Sequence, residues 1–413
     1  MSENDNGFIP TFTYVEDLAK QNQIKREKKD SIIQNKINKK EIEKEREINE
    51  KEKEINAKRK EIEKDNEFIP IGLTKLNDCI YINPILQLLG GISDFRKFFI
   101  KNKQIYKDKS QIFKLSFVTS RLYANLYEEK KTKKSKLYES HNFLIVSKDL
   151  NTFIGNNKDT KIKDIFIFVL NQLHDENNKK NENKIKEKYN RTNLKESINN
   201  GIEANKERNY SIITAILNYL LLQTIKCPEC NNKLFEIKSF STYELNICSA
   251  YQKIMTPNEK RDLFLKDCLN NEKINEEKPF KFYCNICKAY KITKEIYFQF
   301  YEIKDKIIFL LDRDSIFDEN KLSLIIPFKL EETINMGEYM FIDNNNSKYE
   351  LTGIISGEIK EKRYVCFSKS CVNNKWYLYI DEYTEKKNIK DILDEHNDKL
   401  KYIPYILMYS KIK

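Results

Sequence analysis

Between residues 15 and 65, isoleucine stands at positions 48, 55 and 62, seven apart, with Glu and Lys filling most of the places around it. One apolar position per heptad is half of what a coiled-coil seam needs. The pattern predicts a charged helix over 15–67, solvated and held by i,i+4 ion pairs; a weakly paired or partner-docking helix is the other reading. Residues 1–14 ahead of it read as a flexible leader. From Phe68-Ile69-Pro70 the spacing becomes that of a globular chain. Apolar residues recur at helical intervals over Tyr81 to Leu89, Phe113 to Leu126 and Ile162 to His174. Asn- and Lys-rich stretches at 129–136 and 177–207 read as surface insertions. After Cys227 the period changes to two. Tyr243, Leu245 and Ile247 alternate with polar residues, and Ile307 to Leu311 is an apolar run fit for a buried strand. Tyr349 to Ile355, Tyr364 to Ser368, Trp376 to Ile380 and Tyr405 to Tyr409 read as antiparallel ribbons. Helices first and sheet afterwards make the fold class α+β.

With 413 residues, among them 24 Tyr and 24 Phe, the chain can bury a sizeable core. The longest apolar run, Ile212 to Ile225, is too short to span a bilayer and contains Asn218, Tyr219 and Gln223. No membrane association is expected, and the polar start Met1-Ser2-Glu3-Asn4-Asp5 has no apolar signal core. The expected location is cytoplasmic and/or nuclear. A net charge of +11 raises the question of nucleic acid. Lys and Arg are interleaved with Glu and Asp, however, and no stacking platform stands out, so direct nucleic-acid binding is not expected.

Nine cysteines, an odd number, suit a reducing compartment better than a disulfide framework. Four of them form the pairs Cys227-Pro228-Glu229-Cys230 and Cys284-Asn285-Ile286-Cys287. Two residues between cysteines let a tight turn present both thiolates to one tetrahedral ion, and two such turns complete a closed Zn2+ shell. A closed shell has no place for water, so this zinc is expected to be structural. Cys248, Cys268, Cys366 and Cys371 lack such spacing and read as small apolar residues.

Gly72-Leu73-Thr74-Lys75-Leu76 and Tyr81-Ile82-Asn83-Pro84-Ile85-Leu86-Gln87 resemble the cysteine box of ubiquitin-specific proteases, Gly-Leu-x-Asn-Leu-Gly-Asn-Thr-Cys-Tyr-Met-Asn-Ser-x-Leu-Gln. Further likenesses follow in the family's order. Asp164 to Glu176 is similar to the second box, and the paired cysteines to the zinc-bearing fingers. Ile307 to Asp314 sits where the family has its Leu-x-Arg-Phe strand. Tyr349-Glu350-Leu351, Arg363-Tyr364, Trp376 to Asp381 and Tyr405 to Tyr409 resemble the histidine box and closing strand. The resemblance covers 68–413 and implies a papain-like cysteine-protease fold. Its parts would be a helical thumb (about 68–205), zinc-ribbon fingers (about 206–300) and an antiparallel β palm (about 301–413).

In that family a thiolate at a helix N-terminus attacks, an imidazole from the palm acts as base, and an amide holds the oxyanion. Carried across by position, the nucleophile falls on Ile80, the oxyanion donor on Lys75, the base on Arg363 and the residue orienting the base on Ile380. None of these has the chemistry required. Cys79 could replace the nucleophile if one residue were deleted before it and one inserted after it, near the start of the helix through Leu89. The base would still be lacking. His174 closes the second-box helix, and His141 and His396 sit in polar segments away from the histidine box. The resemblance therefore implies a catalytically inactive member that binds ubiquitin or a ubiquitin-like protein, or serves as a complex subunit docked through the N-terminal helix. The alternatives are an active thiol-dependent deubiquitinase using Cys79, and a splicing or RNA-decay component like other degenerate members of the family.

Overall fold

Every residue of the helix Ile82–Gly90 (α1) is buried, Asn83 and Gln87 included, as expected of a helix enclosed on all sides by other elements. The computed structural model describes residues 71–76, 79–127, 139–152, 154, 160–179, 191–255, 261–272, 279–318, 321–342 and 347–412. The charged helix expected over 15–67 and the leader ahead of it lie outside these residues. Around α1 stand Ser93–Lys101 (α2), Lys103–Asp108 (α3), Lys114–Tyr127 (α4), Glu139–Leu150 (α5) and Ile162–Asn177 (α6). Glu176 near the end of α6 accepts the Leu115 and Ser116 N–H groups at 2.9 and 2.7 Å. A carboxylate thus caps the positive end of α4 and joins the two helices.

Two further helices, Leu194–Arg208 (α7) and Ile212–Leu217 (α8), lead into the first strands, Tyr219–Lys226 (β1) and Lys233–Phe240 (β2). The reading of 177–207 as a surface insertion is corrected for its second half. α7 lies so close to β2 that a Cβ at Gly201 would come within 2.6 Å of Ile237 Cβ. The longest apolar run is likewise two elements, a helix and a strand, parted at Asn218. Tyr243–Leu245 (β3) is the strand expected there, but Ile247 opens a helix, Ile247–Ile254 (α9), with Asn246 as its cap. Leu263–Phe264 (β4), Leu265–Glu272 (α10), Phe280–Cys284 (β5), Ala289–Thr293 (β6), Ile296–Ile303 (β7) and Lys306–Leu311 (β8) follow.

The chain then runs through Leu322–Ile325 (α11), Phe328–Lys329 (β9), Thr333–Asn335 (β10), Lys348–Glu358 (β11), Arg363–Lys369 (β12), Trp376–Ile380 (β13), Tyr383–Lys387 (β14), Ile389–Asn397 (α12) and Ile403–Lys411 (β15). The large sheet has the order β14-β13-β12-β11-β15-β8-β3, with β10 also on β11. Its pairings are antiparallel except β3 with β8. A second sheet, β2-β1-β7, and the β5-β6 hairpin stand apart from it. α1 packs so tightly on the large sheet that a Cβ at Gly353 would meet Leu88 Cδ1 at 2.3 Å, so a side chain there would have to push the Leu88 methyl aside. The main core of the palm covers one face of β8, β11 and β15 and includes Trp376 and Ile392, while a smaller one gathers Ile225, Leu234, Phe282 and Ile296.

Candidate functional site

The extended segment 71–76, the start of α1, the β11-β12 turn and the β13-β14 turn converge at one place. Leu73 N–H donates to the Asp381 carbonyl at 2.8 Å. Asn83, in the first turn of α1, donates through Nδ2 to Thr74 O and to Asp381 Oδ1, each at 2.7 Å. Gln87, one turn on, donates to Ile71 O at 2.9 Å. A Cβ on Gly72 would sit 2.4 Å from the carbonyl oxygens of Asp381 and Glu382, so the segment lies flat against that turn. Asp381 itself has a φ of 47°, a left-handed conformation that Asp tolerates better than most side chains. From the β12 side, the rings of Tyr81 and Tyr364 stand 5.9 Å apart. Asn83 and Asp381 hold these elements together. The motifs contain Asn83 and end on Asp381, beside Ile380, but give neither residue a role.

The four positions singled out by resemblance are on this ground. Lys75 is exposed, and Ile80 is half-buried in the turn before Tyr81, the residue that caps α1. Ile380 packs against the main core. Arg363, at the start of β12, faces Glu358 across the β11-β12 pairing. Its Nε and Nη2 reach Glu358 Oε2 at 2.7 and 2.6 Å. A guanidinium has five donors and no acceptor, so it cannot receive a proton from a neighbouring thiol.

Cys79 stands close to the start of α1. It lies two residues ahead of the cap, 1% exposed, with its N–H donating to Leu76 O at 3.2 Å. The histidines are placed elsewhere. His174 bonds through Nδ1 to Ser211 Oγ at 2.7 Å, and His141 is exposed on α5. His396, read as part of a polar segment, is in fact 1% exposed. Its Nδ1 donates to Ile392 O at 2.7 Å, and its Nε2 receives the Ser356 hydroxyl at 2.8 Å. Burial pushes this imidazole down to about 4.

The four paired cysteines do meet. Cys227 Sγ is 3.9 Å from Cys287 Sγ and Cys230 Sγ 3.6 Å from Cys284 Sγ, and all four lie within 4.8 Å of one another. Zn–S bonds of about 2.3 Å in a tetrahedron require S···S separations of about 3.8 Å. The turns that make this possible end on Asn231 and Lys288, at φ 57° and 53°. Burial opposes ionisation of Cys227, but the Cys230 and Glu229 N–H groups bring it down to about 7, whereas contact with Cys230 pushes Cys287 up to about 12. Four thiols this close become thiolates together only around a cation, and the donor set is a soft one that suits zinc. Of the remaining cysteines, Cys268 and Cys366 are buried and Cys248 partly so, as expected. Cys371 departs from that reading: it is exposed and accepts Arg96 Nη2 at 3.4 Å.

Several solved structures share this architecture. The SAGA Ubp8/Sgf11/Sus1/Sgf73 DUB module bound to ubiquitin aldehyde matches at 18% identity with a TM-score of 0.58, over 83% of this chain and 70% of that one. A Ubp8 variant in the same module bound to monoubiquitin matches at 17% identity and 0.58, over 87% and 74%. The yeast module carrying an Sgf73 mutant matches at 17% and 0.56, over 83% and 69%. The expected papain-like arrangement of thumb, fingers and palm is thus the observed one. A family model described as ubiquitin carboxyl-terminal hydrolase matches residues 71–409, and the chain belongs to that family.

Proposed function

We propose that this chain is a catalytically inactive ubiquitin-specific-protease-like protein that binds ubiquitin, or a ubiquitin-like protein, as a subunit or scaffold of a larger complex. The observation that carries the proposal is the Arg363–Glu358 pair, at the position to which the resemblance assigns the family's basic imidazole. Ile80, Lys75 and Ile380 at the nucleophile, oxyanion and orienting positions support it. So does the placement of Cys79, which is 1% exposed and lies outside the helix. Loss of a general base alone costs about 10²–10⁴ in rate.

Binding does not need that chemistry, because the family that this chain resembles grips ubiquitin with the surface of fingers and palm. The related modules that hold ubiquitin aldehyde or monoubiquitin, together with three partner proteins, support both the ligand and the assembly. In this reading Zn2+ is held by Cys227, Cys230, Cys284 and Cys287 and pins the base of the fingers. With four thiolates it offers no position for water, so its part is structural. Thumb, fingers and palm take about 68–205, 206–300 and 301–413. The setting is nuclear or cytoplasmic, and among the described residues no helix is long and apolar enough to cross a membrane.

Two measurements test the proposal. A ubiquitin probe with a C-terminal electrophile should leave the wild-type chain unlabelled. Labelling that disappears in Cys79→Ala would establish the rival reading, an active deubiquitinase using Cys79. Isothermal titration with monoubiquitin should give a saturable signal, and no heat at high micromolar concentration would remove the ubiquitin-binding half of the proposal.

A further inference from the structure

The β5-β6 hairpin carries its two tyrosines on the outside. In its register Tyr283 faces Tyr290 and Lys281 faces Ile292. The alternate residues Phe282, Cys284 and Thr293 turn inward and are buried. Tyr283, Tyr290 and Ile292 remain 47%, 68% and 62% exposed. The two rings meet edge to face at 5.3 Å, and Lys281 Nζ lies 5.1 Å from the Tyr290 centroid. None of these side chains contributes to the small core beneath, so their apolar area in water is not explained by stability. Lysines predominate around them: residues 279–294 include four (281, 288, 291 and 294) and no Asp or Glu, and of these Lys291 is ion-paired with Glu229. On the Lys281 and Tyr283 side the face continues into a groove of about 520 Å³, lined also by Phe280, Phe235 and Arg191, with Glu236 as its one acidic side chain. Lys238 stands 6.0 Å from the Phe280 ring beside it.

We propose that this face of the fingers hairpin, with its groove, binds single-stranded nucleic acid. Bases would stack on Tyr290 and Tyr283, and the phosphates would follow the lysines. Exposed aromatic rings in a field of lysines are the combination such ligands require: every base has a π-face, and the backbone carries one negative charge per nucleotide. The groove falls within the size range of small-ligand pockets, about 300–1,000 Å³, enough to take a base. The proposal is independent of whether the cleft is inactive or ubiquitin is bound, since it uses none of those residues.

The test uses the full chain and a fluorescently labelled oligouridine RNA, read by anisotropy at low and moderate salt. Saturable binding is expected at about 50 mM KCl, weakening at least tenfold by about 200 mM as counterions are displaced. The double variant Tyr283→Ala/Tyr290→Ala should bind at least tenfold more weakly, at about 1–3 kcal/mol per stacked base, whereas Tyr283→Phe/Tyr290→Phe should bind as wild type. Lys281→Glu with Lys294→Glu should weaken binding and flatten its salt dependence. Unchanged zinc content and melting temperature exclude misfolding, and the Phe pair supplies the comparison if the Ala pair is damaged. Absence of binding would overturn the proposal, as would binding indifferent to the tyrosines. Loss of monoubiquitin binding in the Ala pair with RNA binding intact would do the same, because the face would then be a protein dock.

Discussion

At the scale of single residues, His396 has a consequence for stability that its sequence neighbours conceal. Glu395, Asn397 and Asp398 make its surroundings read as polar, yet its ring packs 5.1 Å from Phe367 and 5.6 Å from Tyr402. Both ring nitrogens are committed, one donating and one accepting, and that arrangement exists only for the neutral form. With the folded imidazole at about 4 and an unfolded value of about 6.5, the unfolded chain takes up the proton first as pH falls. The contribution to stability is therefore complete above about 6.5 and lost progressively as pH drops through 4, amounting to ~3 kcal/mol in all. Urea midpoints at pH 7 and pH 4.5 should differ more for wild type than for His396→Gln. Equal differences would show that this histidine does not set the acid limb.

At the scale of elements, α7 gives the sharpest contrast between pattern and packing. Its sequence is polar and falls in a stretch rich in Asn and Lys, so nothing in its periodicity separates a docked helix from a solvated insertion. Gly201 supplies the difference, because its missing side chain lets the helix rest on Ile237. Gly201→Val should force the two apart, lowering stability by about 1–3 kcal/mol as overpacking does. A melting temperature unchanged by the substitution would mean that the helix is dispensable. The elements that could be read directly are those whose burial follows their own spacing: β13 matches its expected range, and the helix over Ile162 starts where predicted. The run from Ile212 could not be read so. Its apolar residues continue through a change from helix to strand that only Asn218 marks, because a short apolar run has no distinguishing period. The candidate site was legible at its positions and illegible at its contacts. Motif order located Lys75, Ile80, Arg363 and Ile380, but the bonds from Asn83 to Asp381 and from Arg363 to Glu358 depend on strand register. Tyr283 and Tyr290 are a similar case, seven apart in the chain and opposite each other in the hairpin.

At the scale of the whole molecule, the core of the palm and that of the fingers make separate demands. The main core is large and continuous through the palm, with Trp376, the sole tryptophan of the chain, 6% exposed within it. The core of the fingers is a handful of side chains around the four thiols, and a two-stranded hairpin such as β5-β6 is marginal in water by itself. Partly buried Phe298 packs against both cores. A structural zinc contributes its binding free energy to folding, so in the fingers most of the stability should come from the metal, and in the palm from buried apolar area. Treatment with a strong chelator should then remove amide-exchange protection from residues 280–293 while leaving Trp376 emission unshifted. Urea should shift that emission in a separate, later transition. Chelation that moves the tryptophan signal together with exchange in the fingers would show the two parts unfolding as one, with the zinc holding the palm as well. Chelation that changes neither would mean that the four thiols stabilise the fingers without a metal, and the zinc assignment would fall.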